Sequence, residues 1–415
     1  MDPKGLLAPC KINVSSETGR LRAVLLHRPG VEIERMTPIN AGQALYSDIL
    51  NKQLVDCEYD NFSGVLSKWA QVYYVSDILQ HLLVDDEIKR ELADDEVIKI
   101  AQDLSDGSET DVAKQLTRIL IEGYEHPDWD GMSEERYLVK PLYNLFFTRD
   151  ASSTVYNRVL INSMSFEVRK RETLIYNAIF HHFFHVDTLD TLAWNAEART
   201  EGGDVQIASP DLLCIGQGIR TNPKGIEYLA QQFAAERDHF NILVQELPHN
   251  PESFIHLDMV FTFLGKHQCM AFEPMLTKRG LFSDKDTTLI NIDHGKITYH
   301  RVDNMVAGLN SLGWEIEPVL GGGRDPWVQL REQWHSGANF FALGDGKIIG
   351  YQRNYNTIDA LNKAGFDVLD ALDVVSGKVS MDDHEKFVVV FPASELPRAG
   401  GGARCMTMPL LRDNE

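Results

Sequence analysis

"STVYNRVLINSM", Ser153 to Met164, is two β-rich runs meeting at Asn157-Arg158, and "RETLIYNAIFHHF", Arg171 to Phe183, follows with apolar residues returning every three or four positions. The first pattern predicts a hairpin and the second an amphipathic helix. The same order recurs along the chain. "DLLCIGQGIR" (Asp211 to Arg220) is apolar up to Gly216 and leads into the helical pattern "PKGIEYLAQQFAAERD" (Pro223 to Asp238). "NFFALGDGKIIGYQRN" (Asn339 to Asn354) holds Asp345-Gly346 in the typical hairpin position. Near the start, "GRLRAVLLHRPG" predicts a short strand from Ala23 to Leu26, ended by a turn at Pro29-Gly30. Short strand pairs alternating with helices predict an α/β class and suggest internal repetition, although no two segments share enough identity to establish it.

One region departs from this rhythm. From Val84 to Tyr137 the sequence is acidic and helical, with Ile88, Leu92, Val97, Ile100 and Leu104 spaced as an apolar face. This predicts a helical insertion over residues 84–137 in an α/β domain made of 1–83 and 138–415. A solvated acidic linker is the alternative.

With 43% apolar and 24% charged residues, the 415-residue chain has the composition of a soluble globular protein and can bury a large core. Its 40 basic and 61 acidic side chains leave a net charge of −21, which repels nucleic-acid phosphates and anionic membrane surfaces. The start of the sequence lacks the apolar run of a signal peptide, and no later stretch reaches bilayer-spanning length, so a cytoplasmic location is expected. Cys10, Cys57, Cys214, Cys269 and Cys405 are odd in number and lack CxxC spacing, as expected of free thiols without a zinc site.

Chemistry-bearing residues gather at turns. "PRAGGGARCMTMP" (Pro397 to Pro409) sets Cys405 behind three glycines, which let backbone N–H groups approach a ligand or a thiolate; a buried structural thiol is the competing interpretation. "FIHLDMVFT" puts His256 and Asp258 two apart in a β-rich run, which predicts both side chains on one strand face as an acid/base unit or a structural pair. Glu201 and Asp204 flank two glycines in "TEGGDVQIA", and "YNLFFTRD" ends an aromatic run with Arg149-Asp150, where a salt bridge between neighbours is the plain alternative. His181 and His185 in "HHFFH" lack a nearby third ligand and suit a solvated helix end better than a metal site. The glycines 321–323 precede no nucleotide-binding pattern, and "DPWVQLREQW" predicts a helix opening at Pro326 with Asp325 as its cap. One thiol, one histidine and several carboxylates suit a planar guanidinium, which carboxylates can hold while a thiolate attacks its carbon.

Taken together, "SSETGRLRAVLLHRPG…ERMTP", "NLFFTRD", "RKRETL", "EGGDV", "FIHLDMVFT", "REQWHSGAN…YQRN" and "GGGARCMTMP" resemble the arginine deiminase family, in order and over nearly the whole chain. The resemblance implies the guanidino-group-modifying (pentein) fold, a five-fold pseudosymmetric α/β propeller with a helical bundle inserted early. It implies Cys405 as nucleophile, His256 as general acid and base, Glu201 supporting the histidine, and Asp150 and Asp258 holding the guanidinium. Asn144, Arg169 and Arg220 match positions that bind the amino-acid carboxylate, and Phe147 matches an aromatic along the substrate's methylenes. The implied reaction converts L-arginine to L-citrulline and ammonia through a covalent S-alkylthiouronium, with no metal or organic cofactor and a homo-oligomeric assembly. Gly400 stands where relatives carry a loop arginine, so that side chain is absent unless Arg398 or Arg404 reaches in. "ALYSDIL" (Ala44 to Leu50) replaces a more apolar pocket segment. Citrulline ureidohydrolase, agmatine deiminase and amidinotransferase are the enzyme alternatives, with Arg169 and Arg220 arguing against agmatine. A non-catalytic arginine-binding protein is the alternative outside the enzyme class.

Overall fold

The computed structural model describes residues 6–38, 40–131 and 136–414. The first five residues and positions 132–135 of the expected insertion lie outside the described residues.

The Ser153 to Met164 stretch forms the expected hairpin, Ser152–Val155 antiparallel to Arg158–Ile161. The turn falls one residue earlier than expected, at Tyr156-Asn157, because Tyr156 takes the left-handed conformation (φ 59°) that a tight hairpin turn needs. The helix Glu167–Ala178 then carries the chain back, and Thr188–Asp190 adds a parallel strand beside Arg158–Ile161.

This unit, a central strand with one antiparallel and one parallel neighbour, occurs in five sheets among the described residues. Leu212–Gln217 is central between Val205–Ser209 and His239–Glu246, a sheet extended by Thr287–Asp293 and Lys296–Val302. Gln268–Ala271 lies between Phe261–Gly265 and Glu317–Leu320, and Lys347–Tyr351 between Phe341–Gly344 and Phe387–Phe391. In the remaining sheet Leu21–Leu26 runs parallel to Gln71–Tyr74 and antiparallel to Met408–Arg412, so the two ends of the chain share one sheet.

Helices cover these sheets because their apolar faces match. The helix Pro223–Glu236, capped by Asn222, buries Ile226, Leu229 and Phe233 against Phe240 and Ile242; Phe233 stacks on Phe240 at 4.2 Å between ring centroids. Each such fully buried side chain contributes about 1.5–3 kcal/mol relative to exposure. Pro326–Gln333 is a helix whose N-terminal N–H at Trp327 donates to Asp325, as the sequence predicts.

Between residues 84 and 137 the chain forms helices Asp86–Leu92, Asp95–Asp103 and Glu109–Glu122. Val97, Val112, Leu116 and Leu120 pack with Ile78 and Leu79 of the preceding helix Val75–Leu82 and with Ile175 and Phe180. The continuous apolar face expected from Ile88 to Leu104 is interrupted. Asp94 caps a new helix, which resets the periodicity, and Leu104 is left 52% exposed.

Candidate active site

Five polar side chains meet because each sits just before the first strand of a sheet or, for Cys405, before the C-terminal strand. Asp150 precedes Ser152–Val155, and Glu201 opens the turn leading to Val205–Ser209. Asp258 precedes Phe261–Gly265, Asn339 precedes Phe341–Gly344, and Cys405 precedes Met408–Arg412. His256 caps the short helix Leu257–Val260 that carries Asp258. The expectation that His256 and Asp258 share a strand face is therefore corrected: the strand begins only at Phe261, and the one-turn helix before it separates the two side chains.

A cleft lined by Asn144, Phe147, Asp150, Arg169, Arg220, His256, Gly400 and Cys405 opens among these turns, and Leu45 of the Ala44–Leu50 segment also lines it. Glu201 and Asp258, both fully buried, stand behind. The ten residues named with the family resemblance thus lie in or directly behind one cleft, whereas His181 and His185 do not line it.

The hydrogen bonds assign an orientation to each group. His256 Nε2 lies 2.9 Å from Glu201 Oε2, and its Nδ1 faces Asp150 Oδ1 at 3.9 Å. Asp150 Oδ2 accepts from Arg169 Nη1 at 2.6 Å, while Oδ1 is buried and has no hydrogen-bond partner. The alternative of an Arg149–Asp150 salt bridge is not formed: Arg149 instead donates to the Arg404 carbonyl and Thr407.

Arg169 donates to Glu172, Asp150 and the carbonyls of Asn144 and Phe147, which occupies every nitrogen of its guanidinium. Arg220 is less committed. Its Nη1 donates to Glu201 at 3.0 Å, its Nε has no partner, and its guanidinium stacks over Phe166. Asn144 Nδ2 donates to the Ala44 carbonyl.

Cys405 Sγ accepts from Asn339 Nδ2 at 3.2 Å and lies 3.7 Å from Asp258 Oδ2. Arg404, 1% exposed, donates through Nη1 to Asp258 at 3.0 Å and through Nε and Nη2 to both oxygens of Glu17. So Arg404 reaches in, toward the carboxylate beside the thiol. It is a fixed cation, because Glu17 and the Val205 carbonyl hold its outer face. Arg398, by contrast, pairs with Asp48 at the surface.

Electrostatics follow from these contacts. Burial disfavours a charged His256, yet Asp150, the Glu201 hydrogen bond and Asp204 together outweigh it and raise its pKa from 6.5 to about 9. Burial likewise opposes an ionised Glu201, but Arg220 and His256 prevail and bring it down to about 2. The pair is an imidazolium–carboxylate at neutral pH. For Cys405, burial and the charges of Asp258 and Asp150 push the thiol well above its ordinary 9, against smaller help from the Gly402 backbone and Arg404. The unliganded thiol is protonated, and a cation placed between the two aspartates would reverse the balance.

The glycine run has a separate role at each position. Gly400 adopts φ +89°, which disfavours a side chain; a Cβ on Gly401 would fall 2.4 Å from the Phe147 ring, and one on Gly402 2.5 Å from the Asn339 side chain.

Sequence reasoning missed Asn339, Glu17 and Glu172. Each lies in a stretch already singled out, the hairpin start, "SSETGR" and "RKRETL"; nothing local marks Asn339 or Glu17 as facing a distant turn, whereas the i,i+3 spacing of Arg169 and Glu172 on one helix could have shown that pair. The described residues that could together hold a metal, His239, Asp293 and His294, are exposed at a hairpin, and none lines the cleft. His182 faces Glu91 and His185 the His181 carbonyl.

The sequence model of the family described as "Arginine deiminase" matches residues 42–412. Arginine deiminases of Oenococcus oeni and Lactococcus lactis subsp. lactis are each 30% identical to this chain over 97% of it, covering 98% and 99% of those proteins. Among solved structures, an amidinotransferase of saxitoxin biosynthesis from Microseira wollei superposes with a TM-score of 0.55 at 12% identity, covering 98% of this chain and 99% of that one. A dimethylarginine dimethylaminohydrolase variant bearing an S-methyl-L-thiocitrulline adduct gives 0.53 at 12% identity, over 94% and 99%. The α/β fold is shared with these structures. Among the described residues no helix is long and apolar enough to cross a membrane.

Proposed function

The chain belongs to the arginine deiminase family, and from that premise we propose that it hydrolyses L-arginine to L-citrulline and ammonia with Cys405 as nucleophile. The observation that carries this is the buried Asp150 Oδ1, which accepts no hydrogen bond and faces His256 Nδ1 only at 3.9 Å, in the same cleft as Cys405: a carboxylate oxygen open to a donor, as a guanidinium requires.

The guanidinium binds between Asp150 and Asp258, and its charge lowers the thiol pKa so that the sulfur proton is released to solvent. The thiolate forms an S–C bond at the guanidinium carbon. His256, an imidazolium oriented by Glu201, gives its proton to one terminal nitrogen, the C–N bond breaks and ammonia leaves an S-alkylthiouronium. Neutral His256 then takes a proton from water as oxygen adds to the carbon. The C–S bond breaks, the thiolate is regenerated, and loss of the remaining hydroxyl proton gives the ureido group of citrulline. Phe147 packs along the substrate's methylenes, and Arg220, whose Nε is unengaged, takes its carboxylate with Asn144 and Arg169 shaping that end. Gly400 leaves the cleft mouth without a side chain. A neutral ureido substrate would bring no positive charge to offset the two aspartates that already hold Arg169 and Arg404, which favours arginine over citrulline.

The repeated three-strand unit supports a five-fold pseudosymmetric propeller of residues 1–83 and 138–415, with 84–137 as an inserted helical bundle. Exposed Trp327, Trp334 and Tyr355 support the expected homo-oligomer, and the free cysteines support a cytoplasmic setting.

Purified protein incubated with L-arginine, L-citrulline and agmatine, with ammonia and ureido product measured, tests the assignment. Arginine should yield both products in equal amounts, and Cys405→Ala should yield neither. Full activity in Cys405→Ala, or no turnover of arginine by the wild type, would overturn it.

A further inference from the structure

Asp150, Glu201, Asp258 and Cys405, each placed just before a strand, have parts in the reaction above. The residue in the corresponding place of the fifth sheet, Asn339, has none, although it is 2% exposed and touches the sulfur.

Its orientation is fixed by its neighbours. Oδ1 accepts from the backbone N–H of Arg404 at 2.9 Å and of Cys405 at 3.3 Å, so the oxygen must face the loop. Nδ2 then points the other way, donating to the Asp258 carbonyl at 3.1 Å and to Cys405 Sγ at 3.2 Å. The approach is close because Gly402 has no Cβ; one would fall 2.5 Å from Asn339 Oδ1. A single carboxamide therefore ties the backbone of the cysteine, its sulfur and the segment bearing Asp258.

We propose that Asn339 is a positioning residue for the nucleophile: its N–H donates to the Cys405 thiolate while its carbonyl fixes the loop, leaving the outer face of the sulfur to the guanidinium carbon. This rests on Cys405 being the nucleophile. The charged and titratable groups acting on the sulfur are Asp258, Asp150 and Arg404, with Tyr351 behind and His256 lining the same cleft. Both aspartates disfavour the thiolate, so a neutral N–H donor that stabilises it is needed on the remaining side.

The test is the pH dependence of Cys405 alkylation by iodoacetamide without arginine, followed by mass spectrometry of the Cys405 peptide, in wild type, Asn339→Ala and the near-isosteric Asn339→Asp. Steady-state kinetics with arginine run alongside. A hydrogen bond to a charged group predicts an upward shift of about one pH unit in Asn339→Ala and more in Asn339→Asp, with kcat lowered about tenfold or more and KM within about threefold. Alkylation curves that superpose on wild type, with kcat falling only as the folded fraction falls, would overturn the proposal. If Asn339→Ala does not fold, Asn339→Asp decides. A wild type that alkylates but does not turn over arginine would sink the deiminase assignment, while the alkylation shift would still decide the role of Asn339.

Discussion

Arg404 shows how one buried charge conditions its neighbours. Burial disfavours the Asp258 carboxylate and leaves its pKa raised even with Arg404 at 3.0 Å. Removing the guanidinium would leave Asp258 facing Asp150 and Cys405 with no fixed cation at contact distance. Arg404→Gln is expected to lower kcat/KM for arginine at least about tenfold at neutral pH and to destabilise the fold by about 3–5 kcal/mol, as breaking a buried pair does; steady-state kinetics and thermal melts check the two effects separately. The Glu201–His256 pair sets the pH behaviour. Glu201, lowered to about 2, contributes stability that is present above its ordinary 4.5 and lost as pH falls through 2. His256, raised to about 9, contributes stability that is fully present below its ordinary 6.5 and lost as pH rises through 9. The imidazolium needed for ammonia departure follows the same limb in the free protein, so the pH profile of kcat/KM should fall above about pH 9.

At the scale of elements, the loop of glycines 400–402 separates backbone freedom from close packing. Gly400→Ala adds a Cβ in ordinary contact with the Leu45 carbonyl, at 3.8 Å, and is expected to cost about 1 kcal/mol for its left-handed backbone, with activity largely kept. Gly401→Ala and Gly402→Ala push into Phe147 and Asn339, and each should lower kcat/KM by at least about tenfold; comparing the three variants by melts and initial rates tests the distinction. The same loop marks what the sequence made legible. Alternating hairpins and helices were readable because apolar periodicity is local, and so was the cap at Asp325. The helix before Phe261 was not, because "FIHLDMVF" is β-rich and only tertiary contact, the Leu257 N–H donating to Asp204, turns it into a helical turn. Asn339 and Glu17 were invisible as site residues for a related reason: their partners lie 66 and 387 positions away. The family resemblance named the ten cleft residues from motifs, but it could not indicate that Arg169 is fully engaged while Arg220 is not.

At the scale of the molecule, the site is assembled from both ends of the chain. Leu21–Leu26 pairs with Met408–Arg412, Asn13 exchanges backbone hydrogen bonds with Leu410 and Arg412, and Glu17 clamps Arg404. Removing residues 1–18 spares every residue lining the cleft, yet it is expected to abolish detectable citrulline formation, because the strand carrying Cys405 loses its flank and Arg404 its anchor. A truncated protein with wild-type kcat would contradict this. The closure also has a consequence in time. A ribosome releases the cleft's first carboxylate long before it has added the thiol and the strand that seats it. The nascent protein is therefore expected to be chemically inert toward arginine until Met408–Arg412 has emerged and paired with Leu21–Leu26, however early the rest of the cleft is in place.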